Sequence, residues 1–330
     1  MTIQGHDSLI EVRSIGEAAL SALSNTQGGS VLASMTNAAY LLSEQGELCW
    51  LVPMSAPMHK RGLQLAEPLP RLSVGSRYEV GDHSFVVDSG DTIDFHNARI
   101  WMPPVVSPNE IVPISRLSES LKFVVDRLLA QQKPSGLGDL IKVILQLIDH
   151  PDGAVEISHR SVFTKKAWPS IKGIILAAWE KDADLMIHYA KALVGFGEGL
   201  TPSGDDFLGG FFFSMRLFNQ YYPKAVNIPI CTYSDFIHQS NTCTNLISYT
   251  ILKDHAGGHT VEPLHQLANG LYLGKPVDQL IFESQKLISL GHSTGWDILT
   301  GFLAGMSVTL AQLHSMSSNS YTSKGIFYGY

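Results

Sequence analysis

Met102-Pro-Pro-Val-Val-Ser-Pro108 divides the chain into two stretches of different character, and its reading decides the fold. Clustered prolines cannot donate to a sheet ladder and hold the backbone extended, so regular pairing stops there. Before it lie short β-branched or aromatic runs separated by Gly, Asp, Asn and Ser: Arg71–Val74, Ser76–Val80, Ser84–Asp88, Thr92–Phe95 and Ala98–Trp101. A helix over Ile15–Leu23 precedes them, and Ser30–Leu42 and Glu47–Pro53 read as one hairpin around Glu44-Gln-Gly-Glu47. After the prolines, apolar residues recur at helical spacing over Ile114–Gln131, Leu137–Ile148, Trp168–Lys181 and Asp184–Val194. The same spacing continues over Phe207–Phe218, Asp235–Leu252, Val261–Gly270, Val277–Leu290 and Thr294–Leu313, and His314–Tyr330 reads as a loose extension or a late strand. The expected fold is α+β, with a small β-rich, barrel-like domain over 1–110 and a larger, mainly α-helical domain over 111–330.

Composition limits the function. With 45% hydrophobic residues, the 330-residue chain has material for a sizeable core. Only 16% of residues are charged and the net charge is −7, so no broad basic face is available for a nucleic-acid backbone. Cys49, Cys231 and Cys243 show no metal-ligand spacing and read as reduced core residues. The start, Met1-Thr-Ile-Gln-Gly-His-Asp7, has no basic stretch followed by an apolar one, and the most apolar segments are short or interrupted. A cytoplasmic protein without a membrane span is expected. Low charge and many glycines also fit burial against another subunit.

The densest chemical signal is Gly195-Phe-Gly-Glu-Gly-Leu-Thr-Pro-Ser-Gly-Asp-Asp-Phe-Leu-Gly-Gly210. Alternating glycines reach positive φ and open their amides, and the helix start that follows adds donors and a partial positive charge. Gly197, Gly199, Thr201, Ser203 and Gly204 are therefore candidate contacts for a small anion. The stretch lacks the Gly-Lys-Ser/Thr ending of a Walker loop and does not follow a strand. Ser203 and Asp206 equally fit plain helix capping. Adjacent Asp205 and Asp206 point different ways on a helix, so separate roles suit them better than one metal, and one of them has solvent as an alternative. Two carboxylates beside an anion call for a cation, a bound proton or a basic side chain, which keeps magnesium open as a cofactor.

Gly291-His-Ser-Thr-Gly-Trp-Asp-Ile-Leu-Thr-Gly301 repeats the pattern. Ser203-Gly-Asp-Asp-Phe-Leu-Gly-Gly and Thr294-Gly-Trp-Asp-Ile-Leu-Thr-Gly share hydroxyl, Gly, any residue, Asp, apolar, Leu, any residue, Gly. If the two helix starts face one another, Asp206, Asp297, Ser203, Ser293, Thr294, Gly295 and His292 surround a cleft suited to phosphate, carbamoyl phosphate or a small carboxylate. His292, Asp206 and Asp297 are the candidate proton-transfer groups. Two glycine-faced helices that merely pack together would show the same pattern. Asn241 and Thr242, in a polar cluster that runs to Asn245, and Asn37, in Ser34-Met-Thr-Asn-Ala38, are further candidate polar contacts. His255 and His259 straddle Gly257-Gly258, which suits neither a regular helix nor a metal pair. No Gly-x-Ser-x-Gly elbow appears, so covalent acyl-enzyme chemistry lacks support.

The two glycine segments, with Ser34–Leu42 and Asn241–Leu252, resemble the AllH-like family, one branch of which is described as a subunit of oxamate carbamoyltransferase. Gly199, Thr201, Ser203, Gly204, Asp205 and Asp206 match its first motif, and Gly291, His292, Ser293, Gly295 and Asp297 its second. Glu198 and Thr294 depart from the commoner residues. The resemblance implies a multi-subunit enzyme of anaerobic purine or allantoin breakdown, which converts oxalurate and phosphate to oxamate and carbamoyl phosphate. The Ser-Thr-Arg-Thr signature of ordinary carbamoyltransferases is missing, so their mechanism does not carry over. A non-catalytic anion-binding or assembly subunit and a metal-dependent hydrolase or lyase are the alternatives.

Overall fold

The computed structural model describes residues 8–222 and 230–322. It forms two compact units: Met1–Pro104 with Thr260–His265, and Val105–His259 with Gln266–Tyr330.

In the first unit the strands are β1 (Leu9–Gly16), β2 (Gly28–Ser34), β3 (Ala39–Ser43), β4 (Leu48–Pro53), β5 (Gly62–Leu65), β6 (Arg77–Val80), β7 (Ser84–Val87), β8 (Thr92–Asp94) and β9 (Arg99–Trp101). They pair in the order β5-β4-β3-β2-β6-β7-β8-β1-β9, and β5 also pairs with β1, which closes an eight-stranded barrel with β9 alongside β1. β1 makes both connections because it is long: its first half runs parallel to β8, its second half parallel to β9 and antiparallel to β5. Side chains alternate as a barrel wall requires. Phe85 and Val87 point inward while Val86 is exposed, and Ile10 and Val12 point inward while Leu9 is exposed. Helix α1 (Glu17–Ser24) adds Ala19 and Leu23 to the barrel core with Leu41, Leu51 and Leu63.

Several local expectations are corrected. The segment expected to pair as Ser30–Leu42 turns within itself, so β2 and β3 form one hairpin and β3 and β4 a second. Met35 N–H donates to the Ala38 carbonyl across that unforeseen turn. Arg71–Val74 forms no strand, although Leu72 is buried. β1 and β5 correspond to no expected strand; the expected helix over Ile15–Leu23 takes in the end of β1, and β5 is only four residues long. Of the cysteines, Cys49 is buried and Cys243 exposed, against the expectation that all lie in the core, and the side chain of Cys231 lies outside the described residues.

The second unit contains α2 (Ile114–Gln131), α3 (Ile141–Asp149), α4 (Val162–Glu180), α5 (Ala183–Lys191), α6 (Ser203–Tyr221), α7 (Ile230–Gln239), α8 (Leu246–Ala256), most of α9 (Glu262–Tyr272), α10 (Val277–Ile288) and α11 (Thr294–Thr322). The continuous helix expected over Asp235–Leu252 is broken after Gln239, because Asn245 takes an extended backbone and its side chain accepts the Ser248 amide as an N-cap. Residues 314–322 continue α11 rather than forming a loose tail, and 323–330 lie outside the described residues, as do 1–7.

At the centre, α6 and α11 pack along one another. Both are apolar on most of their circumference, which fits helices surrounded by others. Phe207, Phe211, Phe212, Phe213 and Phe218 of α6 and Ile298, Leu299, Phe302 and Met306 of α11 are buried. A Cβ on Gly210 would overlap the Ile298 carbonyl oxygen, and one on Gly301 would overlap the Phe207 carbonyl oxygen. Glycine at both places is what lets the two backbones approach this closely. Among the described residues no helix is long and apolar enough to cross a membrane.

Candidate functional site at two facing helix starts

The glycine pairing holds the first turns of α6 and α11 against each other, and their side chains exchange partners. The Thr294 hydroxyl of α11 stands beside Asp206 of α6, and the Ser203 hydroxyl of α6 stands beside Asp297 of α11, each favouring the ionised form of the carboxyl it faces. Since Ser203 and Thr294 are the matching positions of the two motifs, as are Asp206 and Asp297, the exchange is reciprocal. Thr201 adds a second hydroxyl to Asp206 and Ser293 a second to Asp297, and the Thr201 and Thr294 hydroxyl oxygens lie 3.1 Å apart.

Ser203 does not cap its helix, as the sequence suggests; Pro202 is the capping residue, α6 begins at Ser203, and the freed hydroxyl serves Asp297. Nor does either aspartate of the Asp205-Asp206 pair face solvent, since both are buried. Asp205 turns away from Asp206 and accepts the Gly195 amide at 2.8 Å, the Thr244 hydroxyl at 2.5 Å and the Ser248 hydroxyl at 2.6 Å. It thereby ties the start of the glycine loop to α8. Asn245 strengthens the tie, its side-chain amide donating to the Leu200 carbonyl at 2.9 Å.

Three of the loop glycines have positive φ: Gly195 at 72°, Gly197 at 116° and Gly199 at 96°. Not every amide is open. Gly195 donates to Asp205, and Gly204, in the first turn of α6, donates to the Phe196 carbonyl. The N–H groups of Gly197, Glu198, Gly199, Leu200 and Thr201 meet no acceptor among the described residues. Successive amides in a chain that alternates backbone sign form a concave donor surface for anions.

A third segment enters the cluster. In the 3-10 turn Gly136–Leu140, Leu137 N–H donates to Asp297 Oδ1 at 2.6 Å. Gly136 has a φ of 54°, and a Cβ there would overlap that same carboxylate oxygen. Sequence reasoning missed this segment, although Pro134-Ser-Gly136 repeats Pro202-Ser-Gly204 and offered a signal. Ser248 was also missed; of the polar cluster Asn241–Asn245, Thr244 and Asn245 bond Asp205 and the loop and Asn245 caps α8, while Asn241 and Thr242 are exposed on a 3-10 turn, Thr242 reaching the Gln239 carbonyl at 3.5 Å. The His292 side chain is exposed at the rim, and its carbonyl accepts the Ser135 hydroxyl. Gly295 is buried against the Leu287 carbonyl, and Asn37 is exposed in the β2–β3 turn of the first unit.

The electrostatics follow from burial. Asp206 is held well above the usual carboxylate range, first by desolvation and next by the charge of Asp297. Asp297 is pushed up to about 6, chiefly by desolvation, against the opposing bonds from Leu137 N–H, Ser203 and Ser293. The Oδ2 atoms of both aspartates are buried without a hydrogen-bond partner. Among the described residues no three His, Cys, Asp or Glu side chains gather at metal-binding spacing. Two carboxylates with hydroxyls would hold magnesium only if water or a ligand phosphate completed its shell.

Residues 193–306 match the family model described as oxamate carbamoyltransferase subunit AllH. The matched segment is AllH-like. It holds both glycine motifs and Asn241–Leu252, as the resemblance read from the sequence implies, and it does not reach Ser34–Leu42. No curated protein and no solved structure matches the chain. The AllH-like segment contains both aspartates, both hydroxyl pairs and the loop, while the Gly136–Leu140 turn precedes it.

Proposed function

We propose that the chain is a subunit of an oxamate-carbamoyltransferase-like enzyme, and that the Gly197–Thr201 loop binds phosphate, carbamoyl phosphate or the carboxylate of oxamate or oxalurate. The observation that carries this reading is the run of unpartnered amides from Gly197 to Thr201, set beside the hydroxyl pair of Thr201 and Thr294. Amides that meet no protein acceptor offer donors without further reorganisation, and helix starts add favourable potential for negative charge. In this reading Gly197, Gly199 and Thr201 contact the anion, Ser203, Ser293 and Thr294 orient the carboxylates beneath it, and Asp206, Asp297 or the rim residue His292 moves the proton that carbamoyl transfer requires. Other subunits, implied by the family description, would supply the rest of the enzyme.

A non-catalytic binding or assembly role is the second reading. Burial of Asp206 and Asp297 favours it, because groups enclosed by their own helices can fix an architecture without touching substrate. Calorimetry on the purified chain with phosphate, carbamoyl phosphate, oxamate and oxalurate, each with and without magnesium, tests both readings. Binding of at least one of these that is weakened by Gly199→Ala or Thr201→Val supports the anion site, and no heat with any of them rejects it. Binding without phosphorolysis of oxalurate assigns the non-catalytic role to the chain alone.

A further inference from the structure

Two buried carboxylates facing one another across a helix crossing need compensation. Asp206 and Asp297 each lie more than nine-tenths buried, each is served by two hydroxyls, and each keeps an Oδ2 atom with no donor. A buried acceptor with no donor is costly, and two such acceptors on neighbouring acidic groups are most simply satisfied by a proton. We propose that Asp206 and Asp297 act as a dyad that holds one proton between the two helix starts, so that the floor beneath the glycine loop carries one negative charge instead of two.

The surroundings supply no other compensation. On the elements packed around the pair, α6 carries Asp205 and Arg216, α8 carries Lys253, Asp254 and His255, Glu198 lies in the loop, His292 before α11 and Asp139 in the 3-10 turn, and α2, α3, α4 and α10 add further lysines, arginines and carboxylates. Of these only Asp205 acts on Asp206, and it raises the proton affinity further; no lysine or arginine bears on either member. Each carboxyl keeps its own two hydroxyls, and the proton serves the member that is not ionised. Which carboxyl carries it is a property of the pair. The elevated proton affinity of both groups agrees with this geometry.

The consequence for ligands rests on the anion-site reading, but the dyad itself does not. A singly charged floor tolerates an anion at the Gly197–Thr201 amides, and loss of the proton sets a second negative charge under it. Anion affinity is therefore expected to fall as pH rises through the upper titration of the pair.

Ligand-free measurements on the full chain test the dyad apart from the function. A carboxyl whose native proton affinity is raised stabilises the fold fully below its unfolded value, and that stability is lost as pH rises through the native value; with one extra proton bound by the native state, the folding constant falls about tenfold per pH unit. Thermal and urea unfolding between pH 5 and 8 should show that fall in the wild type and a shallower one in Asp206→Asn, which removes one buried carboxyl, and in Asp297→Asn, which leaves Asp206 with burial and Asp205 alone to raise its proton affinity. Infrared spectra of the wild type at pH 7 should contain the C=O stretch of a buried protonated carboxyl, which either substitution removes. An unchanged pH slope in both variants overturns the proposal. So does the absence of the carboxyl band from the wild type, a result that needs no variant to fold, or the finding of one tightly bound metal ion per chain that the aspartate substitutions release. Should the dyad pass while phosphate fails to bind, the anion reading falls and the proton site stands.

Discussion

Gly210 lies against the backbone of Ile298, and Gly301 lies in the same way against the backbone of Phe207. Each glycine thus meets the residue that follows the aspartate of the opposite motif. This second reciprocal contact, one turn below the exchange of hydroxyls between Ser203, Asp297, Thr294 and Asp206, makes the repeated sequence pattern a repeated structural one. The glycines set the separation of the helices; the separation brings the carboxylates together; the carboxylates set the charge under the loop.

Alanine at Gly210 or Gly301 should therefore force the helices apart. The added methyl would meet a carbonyl oxygen of the backbone, which cannot rotate aside, so a cost at or above the usual overpacking range of about 1–3 kcal/mol is expected for each. Gly199→Ala provides the contrast: open space surrounds it, and only its φ of 96° opposes a side chain, for about 1–2 kcal/mol. Urea unfolding of the three variants checks the ranking. Equal, small losses at Gly210 and Gly301 would contradict the close crossing.

The hydroxyl exchange predicts coupling. Ser203→Ala and Thr294→Val should each cost about 1–3 kcal/mol, because each leaves a buried carboxylate with one donor fewer. Their carboxylates interact, so the double variant should depart from additivity by about 0.5 kcal/mol or more. A double-mutant cycle by thermal unfolding measures the departure, and strict additivity would separate the two motifs energetically.

How far the sequence was legible follows from these same residues. The α+β order, barrel-like half first, could be read because strand alternation and helical spacing are local patterns, and the prolines from Pro103 to Pro108 mark the change between them. The closing pair β1–β5 could not be read, since barrel closure depends on a partner far along the chain and β1 merges into α1 without a turn signal. The meeting of Ser203 and Ser293 on Asp297 was legible only through the repeated motif; capping preferences alone pointed the Ser203 hydroxyl at its own helix. The bonds of Asp205 to Thr244 and Ser248 were hidden because no local spacing records which face of α8 packs on α6.

Asp205 is expected to position the loop rather than contact an anion. All three of its partners are donors, and Asp205→Asn would turn an NH2 group toward at least one of them. Loss of bonds to a charged acceptor costs about 1.5–3 kcal/mol each when the site does not relax. Hydrogen exchange should accelerate at the bonded amides of Gly195, Phe196 and Gly204 in Asp205→Asn and to a lesser extent in Ser248→Ala. Unchanged protection in both would mean that the loop is held by something else.

Gly136 offers the sharpest separation of packing from charge. Alanine there meets Asp297 Oδ1 and also opposes a φ of 54°, so it must displace the turn that brings Leu137 N–H to that oxygen. The amide favours ionised Asp297; with it withdrawn, the native proton affinity of Asp297 should climb beyond about 6, and the window in which stability falls with rising pH should move upward. Gly138→Ala presses instead on the Trp296 ring, so it should lower stability at every pH and leave the window where it was. Unfolding of both variants across pH 5 to 8 distinguishes the effects: a shared shift, or none in either, would remove the Gly136–Leu140 turn from the electrostatics of the pair.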